Sequence, residues 1–157
     1  MTKKKDHPQI LVSPFLIFLA LLAIAIFLEY RFGFDYPKAP LKFRLPATLI
    51  LIAYSAYLLV YSVFVLKKSG NSIDPKKPTL HLVEEGPFKF SRNPMYLSLV
   101  VGFLSLAIWF YSMWFFFFTS FLWGVLDFAV VGPEEKYLKE KFGDAYTRYQ
   151  SNVSRWI

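Results

Sequence analysis

The sequence predicts an all-α, polytopic membrane helical bundle, with four transmembrane helices and a cytoplasmic amphipathic C-terminal helical tail. Three observations carry that expectation. Hydrophobic residues make up 55% of the 157 and aromatic residues 20%, above the roughly 45–50% apolar content of soluble domains. The charged residues are segregated into short polar stretches that leave long uncharged runs. Lys and Arg fall mostly in alternate connections, the bias that sets membrane orientation. The same composition excludes intrinsic disorder, which needs low hydrophobicity. Cysteine is absent, which excludes disulfides, Cys-based zinc sites, iron–sulfur clusters and thiol nucleophiles. The length fits a single domain over 1–157.

The first span is placed at about 10–30. Ile10 to Leu28 carries no charge, and a hydrocarbon core about 30 Å thick takes about 20 helical residues. Lys3, Lys4 and Lys5 precede this run, but it is too long for a signal peptide and no small-residue cleavage site follows. It is read as a retained helix. Arg31 to Pro46 holds Gly33, Pro37, Pro40 and Pro46 and is read as irregular. The second span covers about 45–66, again without charge.

The longest polar stretch, Lys67 to Asn93, contains the turn signals Ser69-Gly70-Asn71-Ser72, Asp74-Pro75, Lys77-Pro78 and Gly86-Pro87. Leu80 to Val83 alternates weakly and could be a short extended piece. So long a connection with defined turns is read as functional. Ser91 or Asn93 can cap the next helix, with Pro94 at its first position. From Met95 to Val131 the only charge is Asp127. That stretch fits two spans, 94–111 and 113–131, with a tight turn near Trp109 to Trp114, where interfacial aromatics belong. Phe115 to Phe118 is an aromatic run facing lipid or a neighbouring helix. Gly132-Pro133 is expected to break or kink the chain, placing Glu134 and Glu135 beside free backbone N–H groups. Lys136 to Tyr149 reads as an amphipathic helix, or two split at Gly143.

With four spans, the N-terminal segment, the second connection and the tail share one side. They hold 14 of the 18 Lys and Arg residues, so both termini are expected in the cytoplasm. The net charge of +7 is then topological bias plus attraction to anionic lipids. No basic folded module for nucleic acid is present, and no feature indicates an obligate protein partner.

His7 and His81 have no companions at metal-ligand spacing, so no metal site is expected. No phosphate-binding glycine loop and no Ser-His-Asp set is present. What remains is a polar cluster at two helix mouths. Gly86 to Tyr96 brings Arg92, Asn93 and aromatics to one, and Glu134-Glu135 brings two carboxylates to the other. The hairpin of the last two spans places them close together. Asp127, about a turn inside the fourth span, needs an ion-pair partner or water. Glu29 is expected to reach the headgroups.

These residues carry a resemblance. Glu85-Gly-Pro-Phe-Lys-Phe-Ser-Arg-Asn-Pro-Met-Tyr96 is similar to the R-[HN]-P-x-Y motif of the isoprenylcysteine carboxyl methyltransferase and phospholipid methyltransferase family. Gly132 to Tyr149 resembles the E-E-x-x-L-x-x-x-F-G-x-x-Y-x-x-Y tail of that family, and Val153-Ser-Arg-Trp156 resembles the end of its short bacterial-type members. The resemblance implies an integral membrane methyltransferase using S-adenosyl-L-methionine, with cofactor-site segments 86–98 and 132–149. Carried over by position, Arg92, Asn93, Pro94, Tyr96, Glu134 and Glu135 are cofactor-binding candidates, with Tyr146 and Tyr149 weaker ones. Arg92 and Glu135 are also the candidate catalytic residues. The implied partner is a lipophilic methyl acceptor entering from the bilayer, an isoprenylcysteine-like carboxylate or a lipid headgroup. The short form implies a bacterial-type inner membrane. Alternatives are a membrane reductase, since some sterol-reductase-like proteins share a similar tail, and a non-catalytic protein that kept the fold.

Overall fold

In the computed structural model the described residues are 7–8, 10, 12–34 and 37–157. Lys3, Lys4 and Lys5, part of the expected charge bias, lie outside them. The described residues form helices and no strand, so Leu80 to Val83 is not a strand. Helix α1 is Pro14–Phe32, α2 Leu41–Lys68, α3 Pro94–Phe110, α4 Met113–Leu126, α5 Gly132–Phe142 and α6 Asp144–Asn152.

Among the described residues, three helical segments are long and apolar enough to cross a membrane: Pro14–Phe32, Leu41–Lys68 and Met113–Phe142. At 1.5 Å per residue, α2 is about 42 Å long and overreaches a hydrocarbon core of about 30 Å. It begins four residues earlier than the sequence run, because Lys42 and Arg44 are tolerated where the helix leaves the apolar layer. Pro46 lies within its first turns. Helix α3, also apolar, is shorter at 17 residues. Its turn into α4 is tight: Tyr111 takes a left-handed conformation with φ 52°, and Ser112 caps α4 by accepting from Phe115 N–H at 3.4 Å.

The core joins three helices. Ala25 of α1, Phe103 and Ala107 of α3, and Phe115, Leu122 and Leu126 of α4 are almost fully enclosed. Phe18 meets Phe103 edge-on at 5.6 Å. Of the aromatic run, Phe115 and Phe118 point inward, while Phe116 and Phe117 are exposed. Helix α2 lies along α3. Ser55 Oγ donates to the Ser98 carbonyl at 2.8 Å, and a Cβ on Gly102 would stand 3.1 Å from that hydroxyl. The outer faces of α1 and α2 expose Phe15, Leu16, Phe27, Ile50, Val60 and Phe64, an apolar surface that water would not tolerate at this extent.

The chain does not break at Gly132-Pro133. Helix α4 continues through a π-turn, Asp127–Val131, directly into α5. Gly132 N–H donates to the Asp127 carbonyl, five residues back. The wider turn loosens the backbone just ahead of Pro133, whose missing N–H and bulky ring would otherwise disturb a regular helix. Glu134 and Glu135 consequently do not sit beside free N–H groups, as the sequence led one to expect. The real break comes at Gly143, with φ 55°, which separates α5 from α6.

Candidate functional site

The site assembles where α2 ends and α3 and α5 begin. Gly86 starts its near wall. Its φ is +59°, and a Cβ there would meet Val65 Cγ2 at 3.0 Å, so both conformation and space require glycine. A 3-10 turn, Gly86–Lys89, follows and buries Pro87 and Phe88. Pro94 occupies the first turn of α3 as expected, but Asn93 makes no capping bond. Asn93 N–H donates to Ser91 Oγ at 3.1 Å. Its amide Nδ2 donates to the Arg155 carbonyl at 3.1 Å.

That carbonyl belongs to a C-terminal strap. Arg92 N–H donates to the Ser154 carbonyl at 3.0 Å, and Ser91 Oγ to the Arg155 carbonyl at 3.3 Å. The strap's side chains reach the opposite helix. Arg155 Nη1 lies 3.1 and 3.2 Å from the two Asp127 oxygens, and its Nη2 donates to Glu135 Oε2 at 2.8 Å. Trp156 Nε1 donates to Asp127 Oδ1 at 2.8 Å. Asp127 thus has its partners, supplied from the end of the chain.

Arg92 completes a line of alternating charge. Its Nη2 lies 2.9 Å from Glu135 Oε1, with both side chains about nine-tenths buried. Its Nη1 donates to the Gln150 carbonyl at 3.2 Å, while its buried Nε has no hydrogen-bond partner among the described residues. Beside it, Tyr96 OH donates to Glu134 Oε2 at 2.7 Å. Tyr149 OH donates to the Phe88 carbonyl at 2.7 Å, and Tyr146 packs edge-on against Tyr149 at 6.0 Å. Burial pushes both phenols well above the ordinary tyrosine value, with nearby carboxylates adding to it and Arg92 opposing. Both stay neutral in the working pH range. The Arg155 guanidinium is raised chiefly by its hydrogen bond to Glu135.

These groups border an open cleft at the helix mouths, a concave setting of the kind in which small molecules bind. Arg92, Asn93, Pro94, Tyr96, Glu134, Tyr146 and Tyr149 all line it. Glu135 does not; it stands behind Arg92, between the two arginines. The far wall is the long connection. Asn71, buried, fixes it: Oδ1 accepts from Leu80 N–H at 2.7 Å and His81 N–H at 3.1 Å. Nδ2 donates to the His81 carbonyl at 2.8 Å and to Ser69 Oγ at 3.1 Å. Tyr137 OH accepts from Thr79 N–H at 3.2 Å, tying this wall to α5.

Sequence reasoning did not place Asn71, Arg155 or Trp156 in the site. Asn71 sits in a run of turn-forming residues that gives no sign of a partner ten residues away. Arg155 had a signal: a carboxylate at 127 in need of a cation, and a cation in the terminal segment. At the other end of the bundle Glu29 accepts a hydrogen bond from Ser112 Oγ, where exposure to headgroups was expected.

A family model described as phospholipid methyltransferase matches residues 43–145, about two thirds of the chain. No curated protein and no solved structure matches it.

Proposed function

The chain belongs to the phospholipid methyltransferase family, and we propose that it is an integral membrane methyltransferase that uses S-adenosyl-L-methionine to methylate a lipophilic acceptor. One observation carries the reading. Two segments far apart in sequence, 86–98 and 132–149, meet at a single cleft at the mouth of a helical hairpin. The family match also favours methyl transfer over the nicotinamide-dependent reduction considered from the tail alone.

The residues present fit that cofactor. Arg92 has a buried Nε with no partner and suits a carboxylate. Glu134, half-buried on the cleft, suits an ammonium. Tyr146 and Tyr149 offer aromatic surface for an adenine or a sulfonium. When bound, the cofactor supplies an activated methyl group, so alignment matters more than acid–base chemistry. Tyr96 orients Glu134, Pro94 fixes the start of α3, and Asn93 holds the strap across the mouth. Glu135 positions Arg92 from behind. Leu66, Met95 and Leu138 give the cleft an apolar side suited to an acyl or prenyl chain arriving from the bilayer.

In this reading the single domain, 1–157, has four spans near 10–30, 45–66, 94–111 and 113–131. Helix α3, about 25 Å long, serves as the short third span, antiparallel to α4. The cleft, the tail and both termini lie on the cytoplasmic side of a plasma membrane, the side assigned 14 of the 18 Lys and Arg residues. The test is transfer of labelled methyl from S-adenosylmethionine into a total lipid extract by detergent-purified protein. A labelled lipid is expected, and its identity names the acceptor. Folded protein that labels no lipid and binds no S-adenosylhomocysteine overturns the proposal.

A further inference from the structure

Glu135 treats its two arginines differently. Its Oε2 accepts an aligned hydrogen bond from Arg155 Nη2 at 2.8 Å. Its Oε1 lies 2.9 Å from Arg92 Nη2 as an ion pair, yet makes no aligned hydrogen bond among the described residues. A buried arginine and carboxylate left to themselves tend to close as a two-pronged pair, each oxygen taking one N–H. Here the pair stays open, and Arg92 Nε is left without a partner. Arg155 can hold Glu135 in this way because it is itself anchored. Asp127 takes its Nη1 through both oxygens, Trp156 locks Asp127, and Ser91 and Asn93 hold its carbonyl.

We propose that Arg155 is a positioning residue which, anchored on Asp127, holds the Glu135 carboxylate away from a closed pair with Arg92 and so keeps Arg92 N–H donors available to the carboxylate of the ligand in the cleft. This rests on the reading of the cleft as the S-adenosylmethionine site. With Arg155 removed, Glu135 turns both oxygens onto Arg92. The guanidinium is then neutralised internally, and the site loses its hold on the amino-acid end of the ligand while keeping its hold on the adenosine end.

The experiment titrates the full chain in detergent with two probes. S-adenosylhomocysteine carries the amino-acid carboxylate, whereas 5′-methylthioadenosine has the adenosine and thioether without it. For Arg155→Gln, affinity for S-adenosylhomocysteine should fall about tenfold or more, the scale of one charge-assisted hydrogen bond. Affinity for 5′-methylthioadenosine should stay within about twofold. Arg155→Lys should restore part of the loss, since an ammonium can pair with Glu135 but lacks the planar fork that spans both carboxylates. If Arg155→Gln does not fold, Asp127→Asn carries the same comparison, with an expected selective loss of about threefold. Unchanged affinity for S-adenosylhomocysteine, or an equal loss for both probes, overturns the inference. Wild-type protein that binds neither probe overturns the cofactor reading itself, and the inference with it.

Discussion

At one end of the bundle, Glu29 takes the Ser112 hydroxyl, Trp114 Nε1 donates to the Phe32 carbonyl at 3.1 Å, and Arg44 Nη1 donates to the Trp109 carbonyl at 2.6 Å. At the other, Glu135 is shared between Arg92 and Arg155, and Arg92 retains an unpartnered buried Nε. Both ends put a carboxylate where burial is expensive. The first gives it the Ser112 hydroxyl and closes around it, with the Trp114 indole and the Arg44 guanidinium donating to the nearby Phe32 and Trp109 carbonyls. The second draws its partners from three distant parts of the chain and leaves donors over. A sealed helix end needs only that each donor and acceptor find a partner. A binding site has to hold strong donors in place without exhausting them, which here takes a carboxylate shared between two arginines.

The largest effect that would break this contrast is at Arg92. Arg92→Ala should lower S-adenosylhomocysteine affinity by roughly a hundredfold, because hydrogen bonds to charged groups contribute about 1.5–3 kcal/mol each. Calorimetric titration measures it, and near-wild-type affinity would place the ligand elsewhere. Next is Asn71→Ala. It removes the acceptor of the Leu80 and His81 N–H groups, at about 0.5–1.5 kcal/mol for each hydrogen bond, and should loosen the far wall. Ligand affinity should drop about tenfold, with increased hydrogen exchange at 80–81 by mass spectrometry. Gly86→Ala imposes a left-handed backbone on alanine, about 1–2 kcal/mol, and a contact with Val65. A lower thermal midpoint together with weaker ligand binding is expected, because this turn carries the Phe88 carbonyl that holds Tyr149. The smallest effect sharpens the comparison from the sealed end. Ser112→Ala removes a helix cap, about 1 kcal/mol, and should lower the thermal midpoint while leaving ligand affinity per folded molecule unchanged. A loss of affinity there would mean that the two ends are coupled.

Much of this was legible from residue types. Uncharged runs located α1, α2 and the α3–α4 hairpin, because lipid admits few charges and the helix must be long enough to cross. The family resemblance, carried over by position, named seven residues that line one cleft; residue types alone allowed simple interfacial ion pairs there. What escaped has a common cause. Asn71 works through backbone groups about ten residues away, and Arg155 through carboxylates 20 and 28 residues back. Neither contact follows from any helical period. The continuation of α4 through Pro133 was also hidden, since proline normally signals an interruption.

That continuation sets the rotational phase of everything beyond it. In a regular helix each residue advances about 100°, so positions 127 and 135, eight apart, would diverge by about 80° around the axis. The π-turn acts as one extra residue inserted into the winding. Subtracting about 100° brings the two carboxylates to within about 20° of one line. One guanidinium can then bridge both. Regular winding with all eight steps kept would part them by about 80° without changing a single charge. A one-residue deletion between 127 and 131, by contrast, leaves seven regular steps and keeps Glu135 in line with Asp127.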